Sequence, residues 1–434
     1  MRRAVLRVDA ATPASRDRAV DALRALAICG VVLGHWLVTA LVPQDGALHS
    51  ASPLQRLPWL APVSWVFQTL AVFFLVGGHV ATRSLASAQA RGRSYGAWLG
   101  RRLTRLLRPL LALLTLWTAA AAALLLSGTP FGTLHTLVKL ALSPLWFLLV
   151  FAALTAATPL LVRLSPLWPL AVVLHVDLLR FGLHVGPRLG WVNVAAGWLV
   201  PYTLGAAWTR GELETRRAAW TLLLGGAAAT ALLVTCAGYP ASMVGVPGAA
   251  VSNLNPPTLA AVTFGLAQCG LALLLRDRLR RAMRRPLAWA AVALANLSAM
   301  TVFLWHQTAL MTTTAAVFAT GRLPGLHTHP DGLRWVAARL LWLPVFTAVL
   351  ALYWAVFRSC ERGTRPRRTA GGGASGRSPV VRVHRVTDRD TADAGHRVRR
   401  PPGGPQGLPP DPRPPHDARP APSPHRAKPR VRRV

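Results

Sequence analysis

The sequence predicts an all-α polytopic membrane protein with about ten transmembrane helices, both termini in the cytosol and a disordered basic C-terminal tail. Three observations carry that reading. The 434 residues are 52% hydrophobic and 15% charged, against roughly 25% charged in an ordinary soluble domain, and the mean hydropathy is +0.36. Apolar runs recur from residue 20 to residue 357, several of them near the length of about 20 residues that a bilayer requires. The arginines fall between those runs and in the tail, so the formal net charge of +34 is assigned to anchoring of cytosolic loops rather than to nucleic acid, for which no motif or aromatic platform is present.

Taken in order, the first segment, 20–42, follows the charged stretch RDRAVDALR and has one ionisable side chain in its apolar part, His35. The second, 59–82, contains LAVFFLVGG and ends at His79 and Arg83. The third, 99–126, begins GRRLTRLLRPL, and the fourth, 137–161, contains SPLWFLLV. The fifth, 165–179, is short and marked by Pro166 and Pro169. The remaining segments are 190–208, 218–237, 257–275, 287–318 and 335–357. Arginines crowd the N-terminal flank and the 2–3, 6–7 and 8–9 connections and are sparse in 1–2, 3–4, 7–8 and 9–10; only the 4–5 connection, with Arg163, and the 5–6 connection, with Arg180 and Arg188, blur the pattern. By the positive-inside rule this alternation puts both termini in the cytosol.

Three regions follow: a cytosolic segment 1–16, a transmembrane domain 17–357 and a tail 358–434. The tail is rich in Pro, Gly and Arg, with GGGASG and PPGGPQGLPPDPRPP, and has too few apolar side chains to offset its ordering entropy. Residues 1–24 lack a signal-peptide layout, so the first span is expected to be retained. Cys29, Cys236, Cys269 and Cys360 are scattered without disulfide or metal-ligand spacing, and no metal is expected.

Several polar side chains in or beside the spans could do chemistry. Arg24 and His35 stand eleven residues apart, close to three helical turns, so they face one side at a separation of roughly 16 Å. His35 is either a histidine bonded across helices or a general base. Asp21, one turn before Arg24, is a local partner for it or half of an ordinary helix-end salt bridge. Arg102 and Arg105 share a face at the start of the third span, and Arg101 and Arg108 widen the patch. Such arginines either anchor the helix or clamp phosphate, whose oxygens match the guanidinium fork. Asn296, Ser298, His306 and Gln307 make the ninth segment the most polar of the late ones. His79 lies at a span end where solvent or headgroups would satisfy it.

These features together resemble the integral-membrane acyltransferase-3 family. Its opening pattern falls on Asp21-Ala22-Leu23-Arg24-Ala25-Leu26-Ala27 and Val31 to His35, and its R-x-x-R on Arg102 and Arg105. Its F-F-x-x-S-G falls on Phe73 to Gly78, its L-W-F-L on Leu145 to Leu148, and its late N-x-S…H on Asn296, Ser298 and His306. Gly77 stands where the family usually has serine. The proline after the arginines is one position late, which leaves Arg105 and Arg108 as a second fit to R-x-x-R.

The resemblance covers about residues 17–357 and implies a membrane O-acyltransferase. It implies acyl-CoA, with acetyl-CoA the expected ester, as a co-substrate rather than a permanently bound cofactor. The implied acceptor is a hydroxyl of a carbohydrate, glycolipid or glycosylated metabolite, reached in the cell membrane of a bacterium among its lipids. Arg102 and Arg105 would hold the CoA phosphates, and Arg24 would either join them or stand with His35 as a catalytic residue. His35 would deprotonate the acceptor or act as nucleophile, with His306, Asn296, Ser298 and Asp21 as substrate or structural positions. The alternative from another class is a polytopic transporter or flippase, which would not need this ordered set of residues. A scaffold recruiting a partner through the tail would leave His35 idle.

Overall fold

The computed structural model describes residues 2–361; the tail expected to be disordered lies outside the described residues from 362 onward. A short helix α1 (Arg2–Ala10) leads to α2 (Arg18–Val38), whose N-cap is Asp17, accepting from Ala19 N and Val20 N. Helix α2 touches α3 (Leu70–Gln89), α10 (Leu259–Ala282), α11 (Pro286–Leu297), α12 (Ala299–Ala316) and α13 (Leu333–Glu361). Burial of Ala22, Leu23, Ala27, Ile28, Val31, Val32 and Trp36 shows the stripe that makes this contact. Helix α2 therefore packs against five other helices.

The all-α expectation needs one correction. Helix α2 ends at Val38, and residues 40–51 form an antiparallel hairpin of β1 (Ala40–Gln44) and β2 (Ala47–Ala51), in register from Ala40 opposite Ala51 to Gln44 opposite Ala47. Asp45 and Gly46, at φ 50° and 76°, supply the two positive φ values of a tight hairpin turn. Ala40 and Val42 pack on Trp335 of α13, so the end of the first apolar run is buried as strand rather than helix.

Helix α4 (Tyr95–Leu126) holds Pro109 within it, and α5 (Phe131–Leu142) with α6 (Leu145–Ala156) make up the next apolar stretch. After these come α7 (Leu167–Asp177), α8 (Val192–Thr209) and α9 (Arg216–Cys236). Among the described residues, seven helices are long and apolar enough to cross a membrane, or eight if the bent pair α11 and α12 counts as one span. The two other expected segments have physical reasons for falling short. Helix α7 has 11 residues and runs into a π turn, Leu178–Gly182. Helix α8 has 18 residues, of which 13 are buried. Wrapped by protein, it carries Asn193, Tyr202 and Thr203 at no cost in lipid contact.

Backbone proximity fixes α8 against α3. A Cβ on Gly78 would overlap the Tyr202 carbonyl, and one on Gly205 the Leu75 carbonyl. Only glycine lets two membrane helices approach so closely. The expected single span 287–318 is instead bent by 72° between α11 and α12. Ser298 sits at the bend, its hydroxyl donating to Leu294 O at 2.7 Å, a side-chain intrusion into the helical ladder of the kind that bends helices.

Candidate active site

Two groups of polar side chains flank α2. The first lies towards its N-terminal end. Arg24 of α2 and Arg102 and Arg105 of α4 line a cavity of about 110 Å³ together with Phe73, Val76, Gly77 and Val80 of α3 and Phe151 and Thr155 of α6. Arg102 is fixed from α3: Nη2 donates to Val80 O at 3.1 Å and to Ser84 Oγ at 2.7 Å. Its guanidinium lies 5.2 Å from the Trp98 ring, and the Trp98 indole donates to the same Ser84 oxygen at 2.9 Å. One serine thus orients both the arginine and the aromatic beneath it. Arg105 is exposed, one helical turn further on. Arg108 is not in the cavity lining, so of the two sequence pairings only Arg102 with Arg105 lies wholly on it.

The second group joins α2 to α12. The His35 and His306 rings have centroids 5.1 Å apart, tilted by 47°. Gln307 Nε2 is 3.0 Å from His35 Nδ1, and His306 Nδ1 is 2.6 Å from Phe303 O. His306 and Gln307 are fully buried, yet His306 Nε2 and Gln307 Oε1 have no partner among the described residues. Two unmatched polar atoms beside a partly exposed histidine are costly unless something else binds there. The Trp36 indole donates to His306 O at 2.9 Å and ties the two helices at this level. Arg339 of α13, 1% exposed, donates to Trp36 O at 2.6 Å and Gly325 O at 2.7 Å, and also to Thr39 O. It holds the carbonyls of Trp36 and of the C-cap Thr39, one and four residues beyond His35.

Neither histidine lines the arginine cavity. A run of aromatic contacts connects them: Phe73 of the cavity wall to Phe147 at 5.1 Å, Phe147 to Phe303 at 5.2 Å, and Phe303 to His306 at 6.0 Å. The wall between the arginine cavity and the imidazoles is therefore apolar.

The other candidate positions fall elsewhere. Asp21 is bound by Arg16, whose Nε donates at 2.6 Å. Asn296 Nδ2 donates to Asp21 O at 2.8 Å and to Val292 O at 3.0 Å, securing α11 to α2. Ser298 serves the bend. His79 is buried and met by protein rather than by solvent: Thr209 Oγ1 lies 3.0 Å from its Nδ1, and Trp208 stacks on it at 4.1 Å. Gln307 was noted in the sequence only for the polarity of its segment, and Arg339 was not singled out, although an arginine inside the apolar run 335–357 is the kind of signal that marks an intramembrane role.

A bundle of long apolar helices with ionisable groups gathered on its inner faces defines a multi-pass membrane protein. The model of the acyltransferase domain family matches residues 17–358, and the chain belongs to that acyltransferase-3 family: it is a membrane acyltransferase. No curated protein and no solved structure matches it.

Proposed function

We propose that the protein moves an acyl group from cytosolic acyl-CoA, acetyl-CoA foremost, to a hydroxyl of a carbohydrate, glycolipid or glycosylated metabolite. The observation that supports this most is the convergence of Arg24, Arg102 and Arg105 on one cavity, at the end of α2 opposite His35. Guanidinium forks on two helices suit the diphosphate of CoA. His35 takes the proton of the acceptor hydroxyl, the oxygen attacks the thioester carbonyl, and the tetrahedral intermediate expels CoA thiolate, which recovers the proton from the imidazolium. The aromatic wall of Phe73, Phe147 and Phe303 keeps water from the thioester and parts to admit it.

The accompanying topology is ten crossings of a bacterial plasma membrane, α7 and α8 included, with both termini cytosolic and 1–16, 17–357 and 358–434 as N-terminal segment, acyltransferase domain and tail. The arginine-rich alternate connections support it. A reporter fused after residue 247 reads outside in this topology, and a cytosolic signal there rejects it. The function is tested with labelled acetyl-CoA given to membranes carrying the protein, followed by mass profiling of glycans and glycolipids. A product heavier by one acyl group, missing from a deletion strain, is expected. Acceptors that move across the membrane with no covalent label would identify a transporter instead.

A further inference from the structure

A second, strongly basic cavity lies at the N-terminal end of α2. It measures about 410 Å³, and Arg16, Arg18, Arg83, Arg280 and Arg284 line it with Asp17 as the only acid. Three of the arginines are neutralised. Arg16 pairs with Asp21 at 2.6 Å, Arg18 with Asp9 at 2.7 Å, and Arg280 with Asp17 at 3.5 Å and Asp277 at 3.3 Å. Arg83 and Arg284 are exposed, and among the described residues neither side chain has a hydrogen bond or ion pair.

The placement of the two cavities is set by helix periodicity. On α3 the residues lining the first are Phe73, Val76, Gly77 and Val80, and Arg83, three residues on, lines the second. Arg24 of α2 lines the first and Asp17, the N-cap of α2, the second, seven residues or about two turns apart. Both cavities therefore open on one face of each helix, separated by about 10 Å along α2. An anion bound in one is within a nucleoside's reach of an anion bound in the other.

We propose that this second cavity binds the 3′-phosphomonoester of coenzyme A, with Arg83 and Arg284 as its donors, while the first holds the diphosphate; this rests on acyl-CoA being the donor. A phosphomonoester carries nearly two charges and three acceptor oxygens, which two unpaired guanidinium groups meet and a neutral ligand would not. The same chemistry could be supplied by an anionic lipid headgroup, so the test separates the two.

The full-length protein in phosphatidylcholine nanodiscs, with or without phosphatidylglycerol, is titrated with CoA and with 3′-dephospho-CoA. Wild type is expected to bind the dephospho form at least about tenfold more weakly, the scale of a lost charge-assisted contact. In the monodisperse Arg83→Gln/Arg284→Gln variant that ratio should fall towards one, and Arg83→Lys/Arg284→Lys should keep part of it. Equal affinity of wild type for both nucleotides, or an unchanged ratio in the double Gln variant, overturns the proposal and leaves the donor reading standing. If phosphatidylglycerol weakens CoA binding and the double Gln variant relieves that effect, the cavity belongs to lipid. Wild type that binds neither nucleotide ends the donor reading, and this proposal with it.

Discussion

Gln307 Nε2 lies 3.0 Å from His35 Nδ1, and this contact between α12 and α2 decides which ring nitrogen is left for chemistry. With the amide nitrogen donating, Nδ1 is an acceptor and the proton sits on Nε2. Turned by half a rotation, the amide presents Oε1, which accepts from Nδ1–H and leaves the Nε2 lone pair as the base. The proposed mechanism requires the second arrangement.

Gln307→Leu should therefore lower kcat by about 10- to 100-fold, the scale of misplacing a reacting group by roughly an ångström, with little change in KM for acyl-CoA. Gln307→Glu should retain more activity, because a carboxylate accepts from Nδ1–H and holds the same tautomer. Steady-state kinetics of the two variants check this. Equal losses in both would mean that Gln307 only fills space.

Arg102→Lys and Arg105→Lys keep the charge and remove the fork. Lysine preserves ordinary anchoring, so expression and melting should stay close to wild type. The KM for acyl-CoA should rise about tenfold or more, as expected for a lost charge-assisted pair. Arg102→Lys carries the larger effect because it also gives up the hold on Val80 O and Ser84. Unchanged KM in both variants would remove these residues from the donor site.

Gly77 faces the Phe151 ring so closely that an added Cβ would overlap it. Both residues line the arginine cavity. Restoring the family's usual side chain by Gly77→Ser should push Phe151 aside, at about 1–3 kcal/mol of overpacking, and depress turnover. Phe151→Leu in the same chain should recover it. Thermal melting and KM of single and double variants give the readout, and additive losses would contradict the coupling.

The packing framework was largely legible in the sequence because lipid and a central bundle demand long apolar runs, and the arginines mark their ends. Arg24, Arg102 and Arg105 stood out among many span-end arginines only by their spacing and their match to the family's patterns. Hairpin 40–51 was missed because ALV reads equally well as the last turn of a helix, and only the Asp45-Gly46 turn distinguishes it. The bend at Ser298 was hidden within a continuous apolar run. His306 was legible as an isolated ionisable group, but its 5.1 Å approach to His35 depends on Trp36, Arg339 and the α11–α12 bend, contacts made by residues far apart in the chain. Helix α8 shows the converse, since protein burial permits a polarity that hydropathy alone reads as a weak span.

Asp17 links stability to pH. Burial pushes its carboxyl up, but the Arg276 bond at 2.9 Å, the Arg276 charge and the N–H groups of Val20 and Ala19 outweigh it and hold the group below the ordinary carboxylate value. A lowered folded-state value means stability that is present above the unfolded carboxylate pKa and is lost as pH falls through the folded one. Asp17→Asn keeps a capping oxygen and loses the charge, so it should cost about 1 kcal/mol near neutrality. The difference should vanish on acidification. Melting curves at pH 7.5 and well below the ordinary carboxylate pKa check this, and a cost independent of pH would show that the Asp17 charge does not contribute.

The central claim is that His35 accepts the acceptor's proton, and turnover of labelled acetyl-CoA by purified, monodisperse His35→Gln tests it most directly. Glutamine keeps hydrogen-bonding capacity and cannot titrate. A fall in transfer of about 100-fold or more is predicted, the scale of a lost general base, with folded yield and CoA binding close to wild type. Near wild-type transfer by His35→Gln would contradict the assignment and leave His35 as a structural histidine.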